Sequence, residues 1–261
     1  MTSRALLLVL PAFVVLACDD PPKKATSSMP VATTAVPLLS AAPSALPPLL
    51  PVVKKKVECP TGADVSMSSK SLEAEVRRKL AKDGGTLTKD DLRQVKSINL
   101  TSTPVSELDP CVFPLFTNLK DLFLGPGDLD DLSSLATLTN MMTLRAAINK
   151  VSDIRPLEKL TKMDRLDLGR TQVLDITPVG NMTGLTELQL DETPVSDLSP
   201  LRACTKLEKL SIKQTRVKDV SPLRDMKKLK FLYIEGSPIE NMNALDPLVG
   251  GGLRIVRTGN R

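Results

Sequence analysis

Histidine and tryptophan are absent from the 261 residues, and aromatic side chains make up only 2% of them. Without histidine the chain lacks the side chain that most often serves as general base and as metal ligand near neutral pH. With so few aromatics, any core must be aliphatic. Hydrophobic residues reach 41%, so a regular arrangement of Leu, Ile and Val can supply one. No Gly-rich phosphate loop is present, since Gly250-Gly251-Gly252 follows no strand-to-helix pattern and reads as a turn. No nucleophile and base converge in the sequence, so an enzyme is not expected, and neither is a cofactor or a bound metal.

The net charge of +5 is unevenly placed. Arg4 and the stretch Cys18–Lys56, with five lysines and two aspartates, account for most of it and leave +1 for residues 57–261. A nearly neutral folded region argues against nucleic acid as a partner.

Arg4 precedes an apolar run from Ala5 to Leu16, broken only by Pro11. The run is too short to span a bilayer well but fits the apolar region of an export signal. It ends in Val15-Leu16-Ala17-Cys18, which resembles a bacterial lipobox. The resemblance implies residues 1–17 as signal peptide and Cys18 as an acylated N-terminus that anchors the chain to a membrane. Several acyl chains would hold it stably. The domain is then expected outside the cytoplasm, in the cell envelope, periplasmic or surface-exposed. Residues 18–56 read as a Pro-rich disordered tether, because prolines at that density prevent continuous helix or strand. Fully extended as polyproline II, its stretch from Asp19 to Val53 would reach roughly 110 Å.

Residues 57–94 read as a helical N-terminal cap. Leu72, Val76 and Leu80 make one apolar helix stripe, Ser69 or Ser71 can start it, and Gly84-Gly85 can end it. A second short helix starts with the capping-box pair Thr88 and Asp91, and Leu87 can staple against Leu92.

Seven repeats fill residues 95–250. From Leu119 the period is 22 residues: Leu119, Met141, Met163, Leu185, Leu207 and Leu229 open each copy, and Leu122, Leu144, Leu166, Leu188, Leu210 and Leu232 follow three residues later. A longer first copy uses Val95, Ile98 and Leu100. Each L-x-L core alternates as a strand with one buried face, and the strands must lie parallel because each is followed by a return path. On that path a polar residue such as Ser133, Thr177, Ser199 or Ser221 is expected to cap a short 3₁₀ turn, with Pro next at Pro178, Pro200 and Pro222. Leu253 and Ile255 suggest a closing strand in residues 251–261. An acidic column, Glu107, Asp131, Asp153, Asp175, Asp197 and Asp219, reads as loop bonding beside each outer turn rather than as a metal ladder. Cys204 occupies an apolar repeat position and reads as a buried thiol.

The pattern L-x-x-L-x-L-x-x-T-x-V-x-D-L-x-P-L resembles the 22-residue internalin-type leucine-rich repeat. The resemblance implies an α/β solenoid: a right-handed superhelix with a parallel concave β-sheet, 3₁₀ or short turns on the convex side and a helical N-terminal cap. One departure is visible. The family's Asn after the strand survives only as Asn149, while Thr103, Thr171, Thr193, Thr215 and Ser237 take the other places, with Gly127 in the second copy. Hydroxyls can still bond neighbouring backbone groups there.

In a solenoid the residues flanking each L-x-L line the concave face. Arg145, Arg165, Lys209, Lys213 and Arg254 balance Asp121, Asp167, Glu187, Asp191 and Glu235 on that face, which suits a mixed protein surface better than a polyanion. Phe123, Arg145, Arg165, Asp167, Gln189, Lys213, Phe231 and Tyr233 are the candidate partner-binding residues, since exposed aromatics beside arginine are common interface anchors. An envelope lipoprotein that binds an unidentified protein as a monomer is the expected function; the alternative is a structural or adhesive protein that binds cell-wall glycan. Cys111 aligns with Leu157 and Leu201 and so reads as inward-facing. Export permits disulfides, which makes Cys59–Cys111 a candidate bond.

Overall fold

The computed structural model describes residues 57–257; Cys18, with the rest of the expected signal and tether, and residues 258–261 lie outside the described residues. Ahead of the repeats, β1 (Asp64–Val65) pairs antiparallel with β2 (Leu87–Thr88), and α1 (Lys70–Leu80) and α2 (Lys89–Gln94) lie between and after them. Then come β3 (Ser97–Leu100), β4 (Asp121–Leu124), β5 (Thr143–Arg145), β6 (Arg165–Asp167), β7 (Glu187–Gln189), β8 (Lys209–Ser211), β9 (Phe231–Tyr233), the short helix α3 (Asp246–Gly250) and β10 (Arg254–Val256). Strands β3 to β10 form one parallel sheet in chain order. From β4 to β9 each residue pairs with its equivalent 22 positions on, as in Leu122↔Leu144 and Leu210↔Leu232. This is a leucine-rich-repeat solenoid.

The core is a set of aliphatic columns running the length of the array. Leu122, Leu144, Leu188, Leu210 and Leu232 are fully buried, as are Val151, Val173, Val195 and Val217 on the return path. Each buried side chain of this size contributes on the order of 2 kcal/mol relative to exposure, and neighbouring coils share the burial. The columns weaken toward the last repeat, where Ile239 and Met242 are only partly buried.

The return path is built differently from the sequence expectation in one respect. Short 3₁₀ turns are present, at Ser133–Leu135, Thr177–Asn181, Ser199–Ala203 and Ser221–Leu223 among others. However, Ser133, Thr177, Ser199 and Ser221 do not cap them; these residues begin the turns, and the residue before each is apolar with no side-chain cap bond. The acidic column supplies the bond instead. Asp131, Asp153, Asp175, Asp197 and Asp219 each accept the backbone N–H two residues on, at 2.7–2.9 Å. The Ser or Thr hydroxyl donates back to the same carboxylate, as Ser199 Oγ does to Asp197 at 2.6 Å. A short carboxylate closes this two-residue ring more strongly than a hydroxyl does. The bonds from Ser221 and Asn241 hold the Asp219 carboxyl below its ordinary range. In the first repeat Asp109 takes this part, bonding Cys111 N at 2.8 Å, and Glu107 stays exposed because its extra methylene spoils the ring. The turn there starts later, at Phe113–Leu115, which absorbs the two extra residues of that copy.

The polar position after each strand forms a buried ladder. Asn149 Nδ2 donates to Gly125, Ala146 and Ala147 carbonyls, and its Oδ1 accepts from Leu129 N at 3.3 Å. Thr171, Thr193 and Thr215 each donate to the carbonyl three residues back, at 2.7–2.9 Å. The Thr hydroxyls thus secure the turn within their own coil, whereas Asn149 and Ser237, whose Oγ donates to the Ile212 carbonyl, tie two coils together. Gly127 fills the ladder position of the second copy because a Cβ there would lie 2.2 Å from the Val105 carbonyl oxygen. One residue before the ladder, Ile148, Arg170, Glu192, Gln214 and Gly236 all take positive φ, which turns the chain out of the strand.

At the N-terminal end, Ser69 caps α1 through Leu72 N, and Thr88 and Asp91 form a reciprocal capping box on α2. Lys82 and Thr88 hold the Asp91 carboxyl down to about 2. Helix α1 does not run to Gly84-Gly85. It stops at Leu80 with Ala81 in the left-handed region, because the Ala81 and Lys82 N–H groups close back onto the Arg77 and Arg78 carbonyls. Cys59 and Cys111 are joined in a disulfide with Cα atoms 5.3 Å apart. Cys204 is fully buried, and desolvation pushes its thiol up to about 11.

Candidate functional site

The unpaired face of the sheet carries three rows of side chains set by strand register. The first runs Asp121, Thr143, Arg165, Glu187, Lys209, Phe231 and Arg254. The second runs Asn99, Phe123, Arg145, Asp167, Gln189, Ser211 and Tyr233. The third holds small residues over the middle strands, with Gly125 and Gly169 buried and Ala147 half-buried. A depression of about 440 Å³ opens over β4 to β7, between rims set by the first two rows.

Five of the eight sequence candidates line that depression: Phe123, Arg145, Arg165, Asp167 and Gln189. Asp121, Thr143 and Glu187 join them. These three are also residues flanking the L-x-L cores, so the repeat pattern alone marks them as members of the face. The other three candidates lie apart. Lys213 sits beyond β8, with its Nζ 3.3 Å from Asp191 Oδ2. Phe231 and Tyr233 are on β9, five strand spacings from Phe123, or about 24 Å at ~4.8 Å per strand. There Lys209 Nζ stands 5.9 Å from the Tyr233 ring centroid.

Charges on the face are paired across strands. Arg145 Nε is 3.3 Å from Asp167 Oδ2, and Lys209 Nζ is 2.7 Å from Glu187 Oε1. Gln189 Nε2 donates to the same Glu187 oxygen at 2.9 Å. Adjacent carboxylates nevertheless respond differently. Desolvation raises the Asp167 carboxyl above its ordinary range, with Gly169 N–H and Arg145 offsetting only part. Desolvation also opposes the charge on Glu187, but the Lys209 and Gln189 bonds outweigh it and hold that group below its ordinary range. Ser211 is buried, with its hydroxyl on Asp191 Oδ1, which also accepts Lys213 N–H at 2.9 Å. Arg165 is exposed, with only a 3.6 Å contact to Asp164 beside it. Phe123 is half-exposed at the rim. The carboxylates thus engage cations and amides rather than a nucleophile, and the one free thiol among the described residues, Cys204, lies in the core. Such a surface can seat a side chain that brings both an apolar body and a polar end.

No protein-family model matches the sequence, and no curated protein matches it. Solved structures do. An internalin (inlF) of Listeria monocytogenes strain 4b F2365 superposes with a TM-score of 0.66 at 27% identity, covering 72% of this chain and 55% of that one. Internalin C2 (inlC2) of the same strain gives a TM-score of 0.65 at 24% identity, covering 72% of this chain and 93% of that one. This chain spans just over half the length of the first of these two proteins. The fold is an internalin-like leucine-rich-repeat fold.

Proposed function

We propose that the chain is a lipid-anchored protein of the bacterial cell envelope whose repeats bind a protein partner through the concave face, without catalysis. The observation that carries this reading is the depression over β4 to β7, which half-exposed Phe123 lines together with Arg145 and Arg165. An aromatic and an arginine at the rim of a recess are the side chains that most often dominate protein interfaces. Cross-strand pairing of the remaining charges leaves a surface of mixed sign, suited to a protein rather than a polyanion. The internalin-like fold supports an interaction or adhesion role. The Val15-Leu16-Ala17-Cys18 sequence supports acylation at Cys18 and a domain held outside the cytoplasm.

A second reading rests on the separate β9 patch. Phe231, Tyr233 and Lys209 together offer flat rings beside a cation, which suits cell-wall glycan. In-cell cross-linking of the full chain distinguishes the two. The Phe123→Ser/Arg165→Glu variant is expected to lose a protein that the wild type captures, and the Phe231→Ser/Tyr233→Ser variant to keep it. If instead the β9 variant alone loses binding to isolated wall material and the first variant loses nothing, the glycan reading replaces the protein one. Cys18→Ser is expected to move the chain from the membrane fraction to the soluble one, and retention in the membrane fraction would overturn the anchor.

A further inference from the structure

Charge is segregated along the solenoid. Residues 57–201 hold sixteen Lys and Arg against twenty-two Asp and Glu, a net of −6. Residues 202–257 hold twelve against six, a net of +6. The near-neutral total therefore conceals a separated pair of opposite charges.

At the basic end the repeat period places cations side by side. Residues 22 apart occupy equivalent places on neighbouring coils, so Arg202 stands beside Arg224 and Lys206 beside Lys228, with Lys227 between the columns. All five are exposed, and none has an ion-pair partner among the described residues. Other cations nearby are matched: Lys218 with Glu240 and Lys230 with Glu208, both at 2.7 Å. Arg202 and Lys228 act on Asp219 and Glu208 only at longer range. Arg224 and Lys227 flank a cleft of about 460 Å³ over Leu229 and Leu248, where Asp225 is the one lining carboxylate. Beside it the end of the array exposes Pro247 and Val249, the latter at 49%.

We propose that this end of the solenoid docks on an anionic lipid bilayer, with the five cations against headgroup phosphates and Pro247 and Val249 entering the interface. Three features select a bilayer over other anionic partners. The cations lie in two columns on long flexible stems rather than in a shaped receptor. Exposed apolar residues adjoin them, as at membrane-surface segments. No aromatic side chain lies among them to stack on a base. The −6 of the remaining repeats is repelled by the same surface, so the charge separation turns the domain end-on. Removing one cation weakens attraction by about fivefold near such a surface. The contact is independent of acylation at Cys18.

Acetylation footprinting of the full chain tests this. Lys206, Lys227 and Lys228 are compared with Lys70, Lys89 and Lys159 in vesicles of phosphatidylcholine, with and without phosphatidylglycerol. The first three are expected to react several-fold more slowly only with phosphatidylglycerol present, to recover at about 0.5 M salt, and to lose protection at Lys206 in Arg224→Glu/Lys227→Glu/Lys228→Glu. Equal rates in both vesicles overturn the proposal, as does protection by soluble polyglutamate but not by phosphatidylglycerol, which would mark an acidic protein partner instead. Failure of the anchor is read separately, as failure to float with pure phosphatidylcholine vesicles.

Discussion

The two ends of the solenoid close their sheet by different means. At the N-terminal end, α1 lies against edge strand β3, and buried Glu75 accepts the edge N–H of Asn99 at 3.0 Å while Arg78 holds its other oxygen at 2.7 Å. The Cys59–Cys111 disulfide ties the leading segment to the first coil. At the C-terminal end, one three-residue strand and a five-residue helix follow the last repeat, and Ile255 and Val256 remain partly exposed. A solenoid needs a covered edge at each end because every coil depends on its neighbours for burial. The first end is sealed by covalent and polar links and is charge-balanced, with nine Lys and Arg against nine Asp and Glu over residues 57–120. The second is covered lightly and keeps unpaired cations, consistent with one end serving stability and the other serving contact.

Breaking the seal is the largest test of that contrast. The disulfide closes a loop with 52 residues of separation, so Cys59→Ser with Cys111→Ser is expected to cost about 4 kcal/mol. Denaturant unfolding measures the loss. Hydrogen exchange should place it at β3 and β4, and a loss confined to β9 and β10 would refute the asymmetry.

Cys204 probes the interior between the ends. Its buried thiol titrates at about 11 against an ordinary value near 9, so folding favours the protonated form. That contribution is complete below pH 9 and is lost as pH rises through 11, about 3 kcal/mol in all. The difference in unfolding free energy between the wild type and Cys204→Val, followed from pH 8 to 11, isolates this from lysine and tyrosine titration. A flat difference would mean that the middle coils open before the thiol ionises.

Glu75→Ala sharpens the comparison at one atom. The variant removes the carboxylate that accepts Asn99 N–H at the sheet edge and is expected to cost about 2 kcal/mol, the scale of a hydrogen bond to a charged group. Glu75→Gln, which keeps an acceptor, is expected to recover part of this. Equal losses in both would assign the effect to Arg78 rather than to the edge.

The repeat period made the sheet, its register and the buried columns legible, because L-x-L at a constant spacing has one geometric solution when each coil must bury its face on the next. It also marked the members of the concave face. Which of them meet was not legible: the Arg145–Asp167 and Lys209–Glu187 pairs join residues 22 apart, on neighbouring strands. The Ser and Thr before each Pro resemble helix caps because the Asx ring that displaces them starts two residues earlier. Adding charges over the whole folded region hid the polarity that appears only when coils are placed in order.

The smallest effect bears on how evenly the coils between the two ends are made. Ile148 sits at φ 60° and is 45% exposed, although a β-branched side chain is strained in that region. Gly236 at the equivalent place is free of the strain, and Arg170, Glu192 and Gln214 bear less of it because they are unbranched at Cβ. Ile148→Asn keeps the backbone that donates to Gly169 O and accepts from Gly127 N, and asparagine tolerates the left-handed region. The substitution is expected to raise stability by about 1 kcal/mol, read as a rise in the denaturant midpoint at unchanged slope. Gln214→Asn, made as a control nearer the basic end, should gain less. If the two gains match, branching at Cβ is not the source of strain, and the Ile148 coil is no weaker than those on either side.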